Sequence, residues 1–203
     1  MGGESACRVA FIGLGVMGDP MAGHLARAGF ATTVFNRTTT RAQRWCEAYP
    51  GPRAATPAAA AAGADIVFVC VGNDDDVREV MTGAGGVIEG VRAGAIVVDH
   101  TTASAKLARE LAGEFAKLEV GFLDAPVSGG QAGAENGQLS VKMGGEPAHF
   151  EVTRPAIDSY AKAVTLIGPS GSGQLAKMVN QVCIAGVVQG LAEGLAFAKR
   201  AGL

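Results

Sequence analysis

Two side chains near the end of the chain have the types and the spacing of a proton-transfer site. Lys177 and Asn180 lie three residues apart in the segment GQLAKMVNQ, and residues three apart leave the same face of a helix. A lysine on a helix is usually a solvated charge. Lys177, however, stands just before the nearly all-apolar run VCIAGVVQGLAEGLAFA, so we also consider it as the proton donor of an active site.

The segment GLGVMG, residues 13–18, has the spacing of a phosphate-binding turn. It ends the apolar run RVAFIGL and opens a segment with helical spacing, the context in which GxGxxG indicates a dinucleotide site. The glycines would make the tight turn, admit a pyrophosphate and let the helix pack against the strand. The alternative is an ordinary strand-to-helix turn. The cofactor contacts predicted here are Gly13, Leu14, Gly15, Val16, Met17 and Gly18.

The end of the second strand indicates which dinucleotide to expect. A site that prefers NAD usually carries an acid there for the ribose 2′-hydroxyl, whereas this strand ends in Asn36, Arg37 and Thr38. A guanidinium suits a 2′-phosphate through forked, charge-assisted hydrogen bonds. The sequence therefore favours NADP, with NAD as the alternative cofactor and a surface arginine as the alternative role of Arg37.

Two more polar segments follow apolar strands, at the sheet edge where ligands bind in such folds. CVGNDDDV follows the third strand, so Val71, Gly72 and Asn73 are predicted to line the cofactor cleft. VDHTTAS ends the fourth strand and brings Thr102 near the reacting end of the cofactor.

The fifth strand leads into DAPVSGGQAGAENG, which contains a candidate carboxylate site. Ser128 offers a hydroxyl, and Gly129 and Gly130 offer unhindered backbone N–H groups. The alternative is a flexible turn, although such a turn would not need to fall at this edge of the sheet.

Apolar strands and helical segments alternate almost without exception along the chain. The order predicts an α/β fold, a Rossmann-like, doubly wound and mostly parallel sheet, in residues 1–170. The helix from about residue 172 breaks this alternation. Residues 171–203 are therefore predicted to form a long C-terminal helix that begins an all-α second domain.

Composition restricts the class of protein. A hydrophobic content of 48% and a net charge of -2 indicate a globular chain and argue against nucleic-acid binding. Four scattered cysteines without a CxxC pair suggest reduced thiols in a cytoplasmic protein, and the acids of DDDV are typical of a helix start, so no metal site is expected.

Membrane and secretion signals are not expected. The first strand starts near Arg8 and leaves no room for a signal sequence. Residues 182–198 are judged too short to span a membrane and are interrupted by Gln189 and Glu193, so we expect a buried helix there.

Four of these segments together resemble the β-hydroxyacid dehydrogenases, which include 3-hydroxyisobutyrate dehydrogenase, tartronate semialdehyde reductase and glyoxylate/succinic semialdehyde reductases. They are FIGLGVMGDPMAGHLARAGF, DHTT, DAPVSGGQAGAENGQLSVKMGG and GSGQLAKMVNQ, and in this order they cover nearly the whole chain.

The resemblance implies a role for each candidate residue. It makes Lys177 the catalytic lysine, Asn180 the amide that binds the substrate hydroxyl, and Thr102 the residue between nicotinamide and substrate. Residues 128–130 match the substrate carboxylate loop. The implied activity is NADP-dependent hydride transfer between nicotinamide and a small β-hydroxyacid or semialdehyde, with Lys177 as proton donor or acceptor.

Three related classes serve as alternatives. A non-catalytic NADP-binding scaffold of this fold, or an imine reductase, would lack the lysine, which this chain keeps at Lys177. The related 6-phosphogluconate dehydrogenases usually carry a His-Asn pair after the lysine, where this chain has Asn180 and Gln181. A sugar phosphate substrate is therefore disfavoured.

The chain departs from the family pattern after the lysine helix. Members usually continue into a helical second domain that covers the active site, whereas this sequence ends at FAKRAGL, so we expect an incomplete second domain. A helix that is apolar nearly all round would expose a hydrophobic patch on its own. We therefore expect a homo-oligomer, such as a dimer, that pairs through this C-terminal helix.

Overall fold

The computed structural model describes residues 7–203, where eight strands form one mixed sheet that nine helices surround. The expectation that no signal sequence precedes Arg8 concerns residues outside this range. The strands are β1 (Arg8–Ile12), β2 (Ala31–Phe35), β3 (Ile66–Val69), β4 (Ile96–Asp99), β5 (Gly121–Asp124), β6 (Val127–Ser128), β7 (Leu139–Gly145) and β8 (Ala161–Gly168). The helices are α1 (Gly18–Arg27), α2 (Thr39–Ala48), α3 (Pro57–Ala61), α4 (Asp74–Thr82), α5 (Val87–Gly90), α6 (Ala105–Ala116), α7 (Gly130–Glu135), α8 (Pro147–Ile157) and α9 (Ser172–Arg200).

The sheet confirms the predicted doubly wound fold. Its strand order is β2-β1-β3-β4-β5-β7-β6, with β8 paired to β7, and the pairs from β2 to β5 are all parallel. Successive side chains of β1 face opposite ways, so Phe11 packs in one core layer and Ala10 and Ile12 in the other. Both faces of the sheet are therefore buried under helices.

Strand β7 is the exception to the parallel arrangement, because it runs antiparallel to β5 and β6. The chain returns from Ser128 to Leu139 through a connection that contains only the short helix α7. A parallel neighbour would need a longer crossover. The segment interpreted from sequence as a loop after the fifth strand is thus a strand-to-helix junction.

Helix α9 begins at Ser172, as predicted, and is 29 residues long. Its large apolar side chains, from Leu175 to Phe197, are exposed. This agrees with the expectation that the helix exposes a hydrophobic patch on its own, whereas the expected burial is not provided within the described chain. These side chains are exposed because only the start of α9 packs against the sheet, where Gly173 and Gln174 are buried. By length and composition alone, α9 could cross a membrane, because the helix extends well beyond the residues 182–198 that were expected to be too short.

Candidate active site

The glycine turn between β1 and α1 has the geometry that a pyrophosphate requires. Gly13 has φ +96, and a side chain there would overlap the Cys70 carbonyl oxygen. A side chain at Gly18 would overlap the carbonyl oxygen of Gly13, so this glycine allows the close contact between helix and strand. Around Gly15, by contrast, no atom lies within 4 Å of a Cβ position. The turn therefore leaves an open approach to its backbone at the middle glycine.

The start of α1 is suited to hold a phosphate. Met17, the residue before this helix, makes no side-chain cap hydrogen bond. The N–H groups of Asp19 and Met21 donate to the carbonyl oxygens of Gly15 and Met17, so a phosphate would bind to the N–H groups of the turn itself. The turn is braced from β2, because the Leu14 N–H donates to Asn36 Oδ1 at 2.8 Å and the Gly13 N–H donates to the Phe35 carbonyl oxygen at 2.9 Å.

A cleft of about 530 Å³ lies over this turn and continues along the ends of β2 and β3 to α4. Leu14 and Asn73 are predicted cofactor contacts that do not line it. Leu14 is buried, and the Asn73 side chain accepts the N–H groups of Asp75 and Asp76 as the cap of α4. The predicted contacts that do line the cleft are Gly13, Gly15, Val16, Met17, Gly18, Asn36, Arg37, Thr38, Val71 and Gly72.

Arg37 faces two acids that sequence reasoning did not connect with it. Its Nη1 lies 3.3 Å from Asp76 Oδ1 and 3.6 Å from Glu79 Oε2. Both acids belong to α4 and line the same cleft, as does Arg41. Helix α4 therefore also places negative charge in the cofactor cleft.

A second cleft, of about 510 Å³, adjoins the first at Met17, Cys70, Val71 and Gly72, which line both. It collects side chains from segments that are far apart in sequence. Thr102 opens into this cleft rather than the first. The predicted substrate and catalytic residues that line it are Thr102, Ser128, Gly129, Gly130, Lys177 and Asn180.

Lys177 is half-buried in the second cleft and points at the carboxylate candidate. Its Nζ donates to the Val127 carbonyl oxygen at 2.9 Å and lies 3.4 Å from Ser128 Oγ. Burial lowers the pKa of Lys177, and the charge of Lys142 lowers it further. A lysine in this state exchanges a proton more readily than a solvated one.

The start of α9 is fixed by a buried carboxylate that sequence reasoning missed. Asp124, at the end of β5, accepts the Gly171 N–H at 2.6 Å and the Gln174 N–H at 2.9 Å. Burial raises the pKa of Asp124, while these bonds oppose the rise. An acid in the otherwise apolar strand GFLD was the signal available in the sequence.

Gln174 ties the same helix to the loop that carries Thr102. Its Oε1 accepts the Ala103 N–H at 3.0 Å, and its Nε2 donates to the Thr101 carbonyl oxygen at 2.7 Å. The side chain is fully buried. Lys177 therefore stands one turn beyond a helix start that is held by two neighbouring strand ends.

Both ring nitrogens of His100 are hydrogen-bonded to protein groups, although the residue lines the second cleft. Its Nδ1 donates to the Ala125 carbonyl oxygen at 2.6 Å, and its Nε2 accepts from the Tyr160 hydroxyl at 2.8 Å. Burial lowers the pKa of His100 to about 4, so the ring is neutral near pH 7. Among residues 7–203, no group of three or more His, Cys, Asp or Glu side chains could hold a metal ion.

Comparison with known proteins identifies the family. Residues 8–168 match the NAD binding domain of 6-phosphogluconate dehydrogenase. The chain is 63% identical to an uncharacterized oxidoreductase of Shewanella frigidimarina, over 97% of this chain and 67% of that protein. It is 42% identical to a probable 3-hydroxyisobutyrate dehydrogenase-like protein of Arabidopsis thaliana, over 98% of this chain and 59% of that protein.

A solved structure agrees with these matches. Mycobacterium tuberculosis 3-hydroxyisobutyrate dehydrogenase, solved with L-serine, superposes with a TM-score of 0.90 at 30% identity, over 98% of this chain and 67% of that one. The chain thus spans about two thirds or less of the length of these three proteins. These matches agree with the glycine turn and the two adjoining clefts, and they show that the chain belongs to the β-hydroxyacid dehydrogenase family.

Proposed function

We propose that this chain provides the cofactor domain and the catalytic lysine of an NADP-dependent oxidoreductase. The reaction transfers a hydride between nicotinamide and a small β-hydroxyacid or semialdehyde. The observation that carries the proposal is the shared cleft of Lys177, Asn180, Thr102 and residues 128–130, which opens into the dinucleotide cleft.

The chain's own residues have separate tasks in this reaction. The nicotinamide, when bound, exchanges the hydride with the substrate carbon. Lys177 gives a proton to the substrate oxygen during reduction and takes it back during oxidation, which its lowered pKa favours. Asn180 binds the same oxygen, and Thr102 lies between cofactor and substrate.

A carboxylate on the substrate would bind at the junction of β6 and α7. Ser128 supplies a hydroxyl there, and Gly129 and Gly130 are both exposed with positive φ, so their N–H groups are not screened by side chains. The mycobacterial relative was solved with L-serine, a small β-hydroxy carboxylate. We propose 3-hydroxyisobutyrate, tartronate semialdehyde or glyoxylate and succinic semialdehyde as the substrate class.

NADP is the proposed cofactor because Arg37 and Thr38 line the cleft just after β2, where the adenosine ribose would lie in a fold of this kind. We further propose a cytoplasmic protein that assembles through α9. Ten large apolar side chains of this helix are at least 38% exposed in the single chain, which supports a partner surface.

The experiment that tests this function measures NADPH and NADH oxidation with glyoxylate, succinic semialdehyde and tartronate semialdehyde. We expect turnover that Lys177→Ala abolishes without loss of NADPH binding. Lys199→Ala is the matched control, because Lys199 is exposed in the last turn of the same helix. Binding of NADPH without turnover, also in a version of the chain extended by a helical second domain, would favour a non-catalytic scaffold instead.

A further inference from the structure

The guanidinium of Arg37 is shared between two carboxylates of one helix face. Asp76 and Glu79 are three residues apart on α4, so they project from the same side of the helix. Both approach the same nitrogen, Nη1, at 3.3 Å and 3.6 Å. All three residues line the cleft into which the dinucleotide would enter.

These ion pairs contribute little to holding the fold together. The Arg37 side chain is 76% exposed, and solvent weakens such pairs strongly. Because of their location, the two ion pairs instead affect ligand binding, since Arg37 is the cation that would bind a 2′-phosphate. A ligand anion at Arg37 must compete with charges that are already there.

We propose that Asp76 and Glu79 set the dinucleotide selectivity of this chain by offsetting the charge of Arg37. The proposal rests on the function proposed above. A 2′-phosphate carries about two negative charges near neutral pH, as phosphate monoesters do, and the two acids repel it while they occupy Arg37. The 2′-hydroxyl of NAD has no charge, so the acids do not repel it and it does not compete with them for Arg37. The two acids therefore reduce the difference in affinity between NADP and NAD. Arg37 alone would make this difference large.

The two acids have an alternative role in which they favour the binding of a 2′-phosphate. Because both acids approach Nη1, they leave the other nitrogens of Arg37 free and could orient the guanidinium for a phosphate. In that case, their removal would weaken NADPH binding. The sign of the change in affinity separates the two possibilities.

The test measures dissociation constants of NADPH and NADH by the fluorescence of the bound nucleotide, without any substrate. The variants are Asp76→Asn, Glu79→Gln and the double variant. The matched control is Asp75→Asn, which makes the same charge change in the same helical turn at an exposed side chain outside the cleft. Light scattering on each variant establishes that assembly is unchanged.

We expect the double variant to bind NADPH about three- to tenfold more tightly, the range for losing two exposed charge interactions. NADH affinity should change by less than about twofold, as should both affinities in the control, and the NADPH gain should shrink at high salt. An unchanged or weaker NADPH affinity in the double variant overturns this inference while the proposed function stands. A wild-type chain that binds neither nucleotide overturns both.

Discussion

Asp124 caps the helix that carries Lys177: its Oδ2 accepts the N–H of Gln174 at 2.9 Å, one turn before the lysine. The acceptor stands at the end of a central strand and the donor in the first turn of α9. The position of Lys177 is thus fixed by the sheet itself. Its distance from the carboxylate candidate does not depend on the exposed remainder of the helix.

Replacing Asp124 with alanine should therefore destabilise the chain. The substitution leaves the N–H groups of Gly171 and Gln174 buried without acceptors, and we expect the free energy of unfolding to fall by about 2 kcal/mol. Urea denaturation followed by circular dichroism measures this. Asp158→Ala, at an exposed ion pair, is the control and should cost less than about 0.5 kcal/mol. Equal losses in the two variants would refute the capping role.

A second prediction compares two glutamines of the same helix. Gln174→Ala leaves the Thr101 carbonyl and the Ala103 N–H unpaired inside the protein, which should cost about 1–3 kcal/mol. Gln189→Ala removes only an exposed contact with Glu193 and should be nearly neutral. The same unfolding experiment measures both. A loss at position 189 as large as at position 174 would contradict the assignment.

The sequence was sufficient for the parts of the molecule that local spacing determines. Strand and helix alternation predicted the sheet, and the glycine spacing predicted the turn, because Gly13 and Gly18 meet across only one strand-to-helix connection. Likewise, Lys177 and Asn180 share a cleft because they are a helical turn apart.

The sequence pattern did not predict contacts between segments that are far apart in the chain. Asp124 and Gln174 are 50 residues apart, and Arg37 and Asp76 are 39 apart. Spacing does not reveal which strand end faces which helix, so the cap and the acids at Arg37 appear only in the folded chain. The apolar pattern of α9 predicted that the helix needs a covering surface, but such a pattern does not say which surface covers it.

His100 should make the protein less stable as the pH falls from about 6.5 to about 4. Burial lowers its pKa from 6.5 to about 4, so in this interval the unfolded chain binds a proton that the folded chain does not. The stability from this source is complete above pH 6.5 and is lost by pH 4. Its upper limit is about 3 kcal/mol.

The measurement compares wild type with His100→Gln by denaturant unfolding across this pH range. The comparison is needed because burial raises the pKa of Asp99 to about 7, which makes stability fall as the pH rises from about 4 to 7. Asp99 stays in both proteins, so its effect cancels. The advantage of wild type should grow toward pH 6.5, and a difference independent of pH would contradict the prediction.

Lys142 should tune the proton affinity of Lys177. Burial is the larger cause of the lowered pKa of Lys177, and the charge of Lys142 is the second. Lys142→Gln should therefore raise the pKa of Lys177 only part of the way toward its ordinary value. The ¹³Cε chemical shift of Lys177 followed against pH measures this directly. Lys162→Gln, at an exposed position on the neighbouring strand β8, is the control and should leave that titration in place.

The exposed face of α9 should hold two copies of the chain together. Leu191 and Leu195 are 62% and 63% exposed and stand one helical turn apart, so they present a continuous apolar surface. We expect light scattering to give a dimer for the wild-type chain and a monomer for the double variant Leu191→Glu, Leu195→Glu, because a paired interface would bury the new charges. Gln189→Glu adds a charge at a position that is already polar and serves as the control. A wild-type chain that elutes as a clean monomer would show that α9 does not pair with a second copy.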